Sequence, residues 1–464
     1  MTRPLVMKFG GTSVADATAM RQVSRIVASA AQRGDRIVVV VSAMSGVTDA
    51  LLAASDAARQ GNLEDATRRV VTVQDRHNAA VDELFSVDAF PVPPDGGLAL
   101  AIAHTCDDVR AVLTSVAVLR ELTPRGADRV AAAGELMSSR IMAELLCEGG
   151  TPARWVDARR TMVTDARFGA AVPLESTRTS AAREIMPALD AGEVVVVGGF
   201  VGATVDGITT TLGRGGSDYS AAILGAALDA REIQIWTDVD GMLTADPRVV
   251  VGAQPVTRLS FEEASELAYF GAKVLHPSTI VPAVEKNIPV RILNTMRPES
   301  PGSIITAAAA ADDRPLAAIA CKRNVTVVNV TSTRMLLAHG FLRRVFEVFE
   351  HHATSVDVVT TSEVSVSMTL DDDRGIDAIA RDLGGFAEVQ VERGMAIVSA
   401  VGDNLRADPA LAVGVIAALG RLPLRMVSQA ASRRNVTVVL DDENVPAAMG
   451  RLHAEFFSPV GARG

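Results

Sequence analysis

Lysine is almost missing from this chain of 464 residues. Of its 45 basic residues only four are lysines, Lys8, Lys273, Lys286 and Lys322; the others are all arginines. A chain that uses arginine nearly everywhere keeps lysine by accident or by need, because a compact ammonium and a planar guanidinium meet anions differently. Lys8 and Lys273 stand inside glycine-containing motifs, which points to need, whereas Lys286 and Lys322 stand in polar segments and read as chance survivals. Cysteine is scarce as well. Cys106, Cys147 and Cys321 lie far apart, match neither a disulfide framework nor a metal-ligand spacing, and suit a reducing cytoplasm. A basic excess is also absent: 45 basic against 55 acidic residues leave a net charge of −10, which disfavours nucleic acid as the main partner. A nucleotide, which needs only a few local cations, stays allowed. No apolar run reaches the length of a membrane span, so no membrane partner is expected, and Met1 to Gly11 lacks signal-peptide architecture.

What is present is the composition of a globular protein, 48% hydrophobic and 22% charged, with material for two to four domains. The first two-thirds alternate strands and helices. Residues 5–9, 36–42, 129–133, 193–197, 232–236 and 288–293 read as strands, and 15–31 has helical spacing. Such alternation implies an α/β fold, a mainly parallel sheet covered by helices on both faces, with ligands gathered at the carboxyl ends of the strands. From residue 300 onward Pro-Gly, an alanine run and Asp-Asp-Arg-Pro mark a linker. Beyond it one pattern occurs twice. Strands at 324–330, 355–360, 363–370 and 387–391 accompany helices at 340–351 and 374–383. Strands at 396–401, 424–429 and 436–440 then accompany helices at 409–419 and 445–456. This is a duplicated α+β module, to which residues 315–320 add a further strand.

Five motifs carry chemistry. Lys8-Phe9-Gly10-Gly11-Thr12-Ser13 closes the first strand. Paired glycines there let a phosphate approach the backbone, the following helix offers N–H groups, and Lys8 brings a point charge to a transferring phosphoryl group. The glycine spacing is not that of a Walker A loop, and the plain alternative is a tight strand-to-helix turn. Ser42-Ala43-Met44-Ser45-Gly46-Val47-Thr48 follows the second strand in the same way; alone, it reads as readily as a helix N-cap with a turn. Two such loops leaving adjacent strands converge on one crevice. Gly213-Arg214-Gly215-Gly216-Ser217-Asp218 opens a helix of small residues and makes an anion site beside a carboxylate. Arg214 suits bidentate pairing with a substrate carboxylate and Asp218 suits orienting a lysine, the bland alternative being a glycine turn with a capping box. Trp236-Thr237-Asp238-Val239-Asp240-Gly241 ends another strand, with Asp246-Pro247-Arg248 close behind. Aspartates at strand ends suit nucleotide or metal contacts, although Asp240-Gly241 also reads as an ordinary turn. Phe270-Gly271-Ala272-Lys273-Val274-Leu275-His276-Pro277 places Lys273 after a helical segment, and His276 reads as structural.

As an ordered set these motifs resemble the aspartokinases, members of the amino-acid kinase fold family, over nearly the whole chain. The resemblance implies an amino-acid-kinase-like α/β/α sandwich at 1–299, a linker at 300–314, and two α+β (ferredoxin-like) ACT regulatory domains. The first ACT domain, 323–392, would be inserted within the second, 315–322 plus 393–457. The implied reaction is ATP with L-aspartate giving ADP and 4-phospho-L-aspartate, with Mg²⁺, at the head of the route to lysine, threonine and methionine. Lys8 and Asp218 would serve phosphoryl transfer. Thr48, Glu135, Arg214 and Ser217 would bind aspartate, with Phe200 lining its pocket and Glu135 meeting the substrate ammonium. Lys8, Gly10, Gly11, Thr237, Asp238, Arg248 and Lys273 would hold ATP, and no metal ligand from the protein is implied. Leu243 departs from the tyrosine that related enzymes often carry, which puts a hydroxyl contact to adenine or ribose in question. The chemistry needs no general base, because an aspartate side chain, with an ordinary pKa of about 3.9, is already ionised at neutral pH. It needs cations and N–H donors around the transferring group, which the motifs supply.

In the tail, Met335, Gly340, Phe341, Asp357, Thr361, Ser362 and Glu363 resemble the effector region of lysine-inhibited aspartokinases. That implies L-lysine bound at a homodimer interface between ACT domains, with Asp357 facing an ammonium and the backbone of 361–363 near a carboxylate. The bland alternative is a plain dimerisation module with Asp357 solvated. Two other functions stay open: a kinase for a different small substrate, such as glutamate, acetylglutamate or a nucleotide, and a catalytically silent amino-acid-binding regulator. The paired tail modules and Glu135 argue against the first, and the presence of Lys8 and Asp218 against the second. With the chain ending at Gly464, no appended dehydrogenase domain is expected.

Overall fold

Ile37–Val41, an isoleucine followed by four valines, is a strand buried at every position, as are Leu5–Phe9 and Val194–Gly198. β-Branched side chains favour the pleated conformation, and uninterrupted burial requires cover on both faces. The computed structural model describes residues 2–86, 97–271, 277–307, 314–332, 339–403, 405, 408–429 and 434–458. The chain forms two compact units, Met1–Gly241 with Leu275–Ala307, and Met242–Val274 with Ala308–Gly464.

In the first unit the main sheet runs in the order Ala153–Val156, Val194–Gly198, Ile37–Val41, Leu5–Phe9, Glu232–Thr237, Val290–Asn294 and Ser303–Thr306. All these neighbours are parallel except the last pair. The chain builds one side of Leu5–Phe9 first and later returns to build the other. Leu5–Phe9 is therefore the switch point of the sheet, where a crevice opens outside the carboxyl ends of the strands. The helices Ala17–Gln32, Val47–Arg59 and Ala133–Glu148 close a core that includes Met20, Leu51, Met137 and Ile141 against Phe9 and Val39. A smaller sheet joins Val163–Thr164, Val201–Thr204 and Thr209–Thr211.

In the second unit a six-stranded antiparallel sheet has the order Val359–Thr361, Ser365–Leu370, Ala318–Thr331, Glu388–Val401, Asn435–Asp441 and Met426–Gln429. Its two central strands serve two cores. Ala318 to Lys322 pairs with Val401 to Ile397, while Val327 to Thr331 pairs with Glu392 to Glu388, and the register shifts between them. One core gathers Ile319, Ala396, Leu440 and Leu452, the other Val328, Val345, Met368 and Leu383. Ala245 and Val250 belong to the first of these cores, so Met242–Val274 is built into the second unit.

Several expectations are corrected. Residues 129–133 are not a strand but lie in and between helices Pro124–Ala131 and Ala133–Glu148. Thr123 caps the first of these, accepting the Gly126 N–H at 3.1 Å, Pro124 opens it, and the alanines that follow favour helix. The segment from residue 300 includes a strand, Ser303–Thr306, beside Val290–Asn294. Tail strands expected as separate pieces are continuous, because the register shift absorbs the polar residues between them. Among the described residues no helix is long and apolar enough to cross a membrane.

Candidate active site

Lys8 stands near the carboxyl end of Leu5–Phe9, and its ammonium lies 2.6 Å from Asp218 Oδ1. Both side chains are largely buried, 11% and 16% exposed. Asp218 sits in the first turn of helix Gly216–Ala227, which starts from Gly215 at φ +69° with no side-chain cap. The capping-box alternative is thus not what forms here. The helix end keeps its partial positive charge beside Lys8 and Asp218.

The glycine loops converge. A Cβ on Gly10 would lie 3.5 Å from the Lys8 ammonium, and one on Gly11 would lie 3.1 Å from the Ala43 carbonyl oxygen. The Ser42 N–H donates to the Phe9 carbonyl at 3.1 Å. One expectation fails at this point. After Lys8 comes a 3-10 turn, Gly11–Val14, and the helix beyond it, Ala17–Gln32, has its amino end closed by Asp16, which accepts the Ala19 N–H at 2.9 Å. An acidic cap makes that helix end a poor phosphate site.

Thr48 is the second residue of helix Val47–Arg59, and Glu135 lies in the first turn of Ala133–Glu148. The two helix ends meet because Gly134 has no side chain: a Cβ there would fall 2.7 Å from that of Ala43 and 3.0 Å from Val47 Cγ1. Ser138 Oγ donates to the Ser42 carbonyl at 2.7 Å and fixes the contact. Glu135 is buried as a result. The Ala43 N–H donates to its carboxyl group, its Oε2 has no partner, and burial pushes the acid up to about 8. A buried carboxyl oxygen without a donor is rare, and it marks a place where one arrives from outside.

Two further glycines bring the remaining groups in. A Cβ on Gly198 would lie 3.1 Å from the Glu135 carbonyl oxygen, and one on Gly199 would lie 2.7 Å from Ser217 Cβ. Phe200 packs its ring over Gly216, whose Cβ would lie 2.5 Å away. The Phe200 backbone is held at φ +63°, a region that bulky residues avoid. Its N–H donates to Ser220 Oγ at 2.9 Å, and the Val201 N–H donates to the Gly199 carbonyl at 2.7 Å. Such strain persists only where the surroundings enforce it, and it concentrates at ligand sites. Arg214, on the same glycine turn as Ser217, is exposed and forms no ion pair among the described residues. Lys8, Gly10, Gly11, Thr48, Glu135, Phe200, Arg214, Ser217 and Asp218 therefore form one cluster, joined through contacts of their own or of adjacent residues.

Thr237 ends the strand beside that of Lys8, and its hydroxyl donates to Asp238 at 3.2 Å. Asp240 is taken up by Asn294 Nδ2 at 2.7 Å and Arg297 at 2.5 Å, which makes its turn structural. Arg248 belongs to the second unit, where its guanidinium forks onto Asp246 at 2.7 and 3.0 Å and holds that carboxyl below its ordinary range. Lys273, His276 and Met335 lie outside the described residues.

In the tail, Gly340 at φ +85° opens helix Phe341–His351, and the Phe341 ring meets Phe386 edge-on at 5.8 Å. Asp357 is not solvated. Its carboxylate accepts from Tyr269 Oη at 2.9 Å and from Lys322 Nζ at 3.1 Å, and Lys322 also meets Asp371 at 2.5 Å. Lys322 is thus no chance survival, since its ammonium neutralises two carboxylates, one of them buried. Burial still pushes the Asp357 acid upward. Thr361 ends strand Val359–Thr361, and Ser362 and Glu363 follow on an exposed turn, where the Ser362 and Ser365 hydroxyls are 2.7 Å apart. Gly134, Gly199 and Ser138 are not singled out from sequence. A glycine followed by an acid at a helix start was a usable signal for Gly134; the others depend on approaches that only the fold creates.

The amino acid kinase family profile matches residues 3–294, and an ACT domain profile matches residues 398–456. The chain is 35% identical to lysine-sensitive aspartokinase 3 of Escherichia coli (strain K12), across 98% of this chain and 100% of that one. It is 38% identical to the chloroplastic aspartokinase 3 of Arabidopsis thaliana, across 97% of this chain and 81% of that protein. The crystal structure of E. coli aspartokinase III in complex with lysine and aspartate superposes with a TM-score of 0.83 at 35% identity, covering 98% of this chain and 100% of that one. The complex of the same enzyme with aspartate and ADP gives 0.82 at 34% identity, with the same coverage. A profile match over most of the chain, relatives aligned from end to end, and a cluster of lysine, carboxylates and glycine loops at the sheet's switch point agree: this chain belongs to the amino acid kinase family and, within it, to the aspartokinases.

Proposed function

We propose that the protein transfers the γ-phosphoryl group of ATP to the side-chain carboxylate of L-aspartate. The observation that carries this is the pairing of two features in one cluster: a buried Lys8–Asp218 contact at the glycine loops, and the buried Glu135 whose Oε2 has no partner. Glu135 would receive the substrate ammonium, and Arg214 and Ser217 a substrate carboxylate. An oxygen of the side-chain carboxylate attacks the γ-phosphorus, the bond to the β–γ bridging oxygen breaks, and ADP leaves with its electron pair. No proton need move. Lys8 lowers the repulsion between the two anions, Asp218 orients it, and Gly10 and Gly11 leave room for phosphate, with Thr237, Asp238, Arg248 and Lys273 assigned to the rest of the nucleotide. Mg²⁺ would enter on the phosphates of ATP and neutralise part of their charge. Aspartate and ADP in the E. coli aspartokinase III complex support this ligand set.

The functional domains follow the same reading: a kinase domain at 1–299, a linker at 300–314 that carries the sheet strand Ser303–Thr306, and ACT domains at 323–392 and at 315–322 plus 393–457. The pairing of Ala318 to Lys322 with Val401 to Ile397 supports the interleaving of the two ACT domains. Lysine is proposed as the effector, bound by Gly340, Phe341, Asp357, the 361–363 turn and Met335 at a homodimer interface. Support comes from lysine in the E. coli complex and from a buried Asp357 that already faces an ammonium, that of Lys322. A cytoplasmic location fits three free cysteines. Asp357→Ala is expected to raise the half-inhibitory lysine concentration at least about tenfold, because a buried charged contact is lost. Superimposable inhibition curves for variant and wild type would remove the effector assignment.

The deciding assay supplies Mg-ATP and L-aspartate to the purified protein, with hydroxylamine to trap the acyl phosphate. Aspartate-dependent hydroxamate and ADP in equal amounts are expected, with none from glutamate. ATP binding without turnover of any carboxylate would sink the kinase reading in favour of a silent regulator.

A further inference from the structure

Asp128 has no part in the site described above, yet its carboxylate is the most heavily used buried anion near it. It lies on helix Pro124–Ala131 and is 2% exposed. Its Oδ2 accepts the backbone N–H of Gly169 at 3.0 Å and of Thr211 at 2.8 Å, and its Oδ1 accepts the Thr211 hydroxyl at 2.8 Å. No ion pair to it is formed among the described residues, so these donors are what hold the charge. Converging donors of this kind stabilise a buried carboxylate, and removing the acceptor strands them without water.

The two segments it joins both bear on the glycine turn. Thr211 ends strand Thr209–Thr211, just before Gly213-Arg214-Gly215-Gly216-Ser217. Gly169 lies against the turn itself: a Cβ on Gly213, which has φ +77°, would fall 3.0 Å from the Gly169 carbonyl oxygen. The Ala171 N–H donates to the Thr211 carbonyl at 2.9 Å and completes the clamp.

We infer that Asp128 is a positioning residue for aspartate binding: it pins the 165–172 segment and the end of Thr209–Thr211 together, and so sets where Arg214 and Ser217 stand. This rests on the proposed aspartate site and extends it to a residue that touches no substrate. A small displacement of a clamp of this kind weakens binding of one substrate without touching the other.

Steady-state kinetics on full-length Asp128→Ala, Asp128→Asn, Thr211→Val and Arg214→Ala test it. In Asp128→Asn the amide oxygen can still accept both N–H groups, and its NH₂ can donate to a Thr211 hydroxyl turned to accept. Asp128→Ala is expected to raise KM for aspartate on the order of ten- to a hundredfold, with KM for ATP within about twofold of wild type. Asp128→Asn is expected to restore KM for aspartate to within about threefold, and Thr211→Val to raise it about threefold, the effect of one lost hydrogen bond. Should Asp128→Ala fail to fold, Thr211→Val decides, and an unchanged KM for aspartate there overturns the inference. Equal rises in both KM values, or no rise for aspartate while Arg214→Ala shows a large one, also overturns it. An Arg214→Ala enzyme with wild-type KM for aspartate would instead overturn the underlying assignment of the loop.

Discussion

Lys8→Ala is expected to lower kcat by about 10³-fold and to lower kcat/KM for aspartate with it. The reason lies in where the charge is. The Lys8 ammonium is held 2.6 Å from Asp218, in a setting where both side chains are largely withdrawn from solvent. On the proposed mechanism, charge that spreads over the transferring phosphoryl group in the transition state would meet this ammonium already in place, so little reorganisation is needed. Removing it would also leave the Asp218 carboxylate without its counter-charge beside the proposed phosphate position, which adds repulsion to the loss. Lys8→Arg should not restore turnover, because a planar guanidinium cannot occupy the point position beside Asp218 and Gly10. A rise in KM for ATP with kcat unchanged would show that Lys8 only binds nucleotide.

Glu135→Gln is the second large effect, and its signature is pH dependence. In the free protein burial pushes this acid from its ordinary 4.5 up to about 8. At neutral pH it is therefore protonated until an ammonium arrives. Aspartate binding must then release a proton, so KM for aspartate should fall about tenfold per pH unit as pH rises toward 8, and level off above it. The glutamine variant should show no such slope and, at pH 8.5, a KM raised on the order of ten- to a hundredfold by loss of the charged contact. Stability runs the opposite way, falling as pH rises. Between pH 4.5 and about 8 the folded protein holds a proton that the unfolded chain has lost. The contribution of Glu135 is thus fully present below pH 4.5 and is lost as pH rises through about 8, a change on the order of a few kcal/mol. Thermal melts of the free protein from pH 5 to 9 should find Glu135→Gln gaining on wild type with rising pH. Parallel melting curves, together with parallel KM profiles, would sink the assignment.

Much of the cluster is legible in the sequence alone. Lys8, the two glycine loops and the Gly213 to Asp218 turn announce themselves because backbone room and a lone lysine are local properties, written in consecutive residues. The strand runs at 37–41 and 194–198 were equally plain, since burial on both faces demands unbroken aliphatics. Residues 129–133 misled because one valine among alanines was read as a strand, when Thr123 and Pro124 upstream already spelled a helix start. Lys322 misled because its partners Asp357 and Asp371 lie 35 residues or more away, where no local pattern can announce them.

The sequence by itself determined the membership in the aspartokinases, the parallel sheet, and which glycine loops gather at the carboxyl ends of its strands, because those follow from short motifs and periodicity. Only the tertiary structure decided the state of the charges. That Glu135 is buried with an unpaired oxygen, that Phe200 is strained at φ +63°, that Asp128 gathers donors from Gly169 and Thr211, and that Lys322 covers Asp357 are all consequences of segments distant in the chain being packed together without water. Desolvation and hydrogen-bond satisfaction are properties of an assembled interior, and no single stretch of residues contains them.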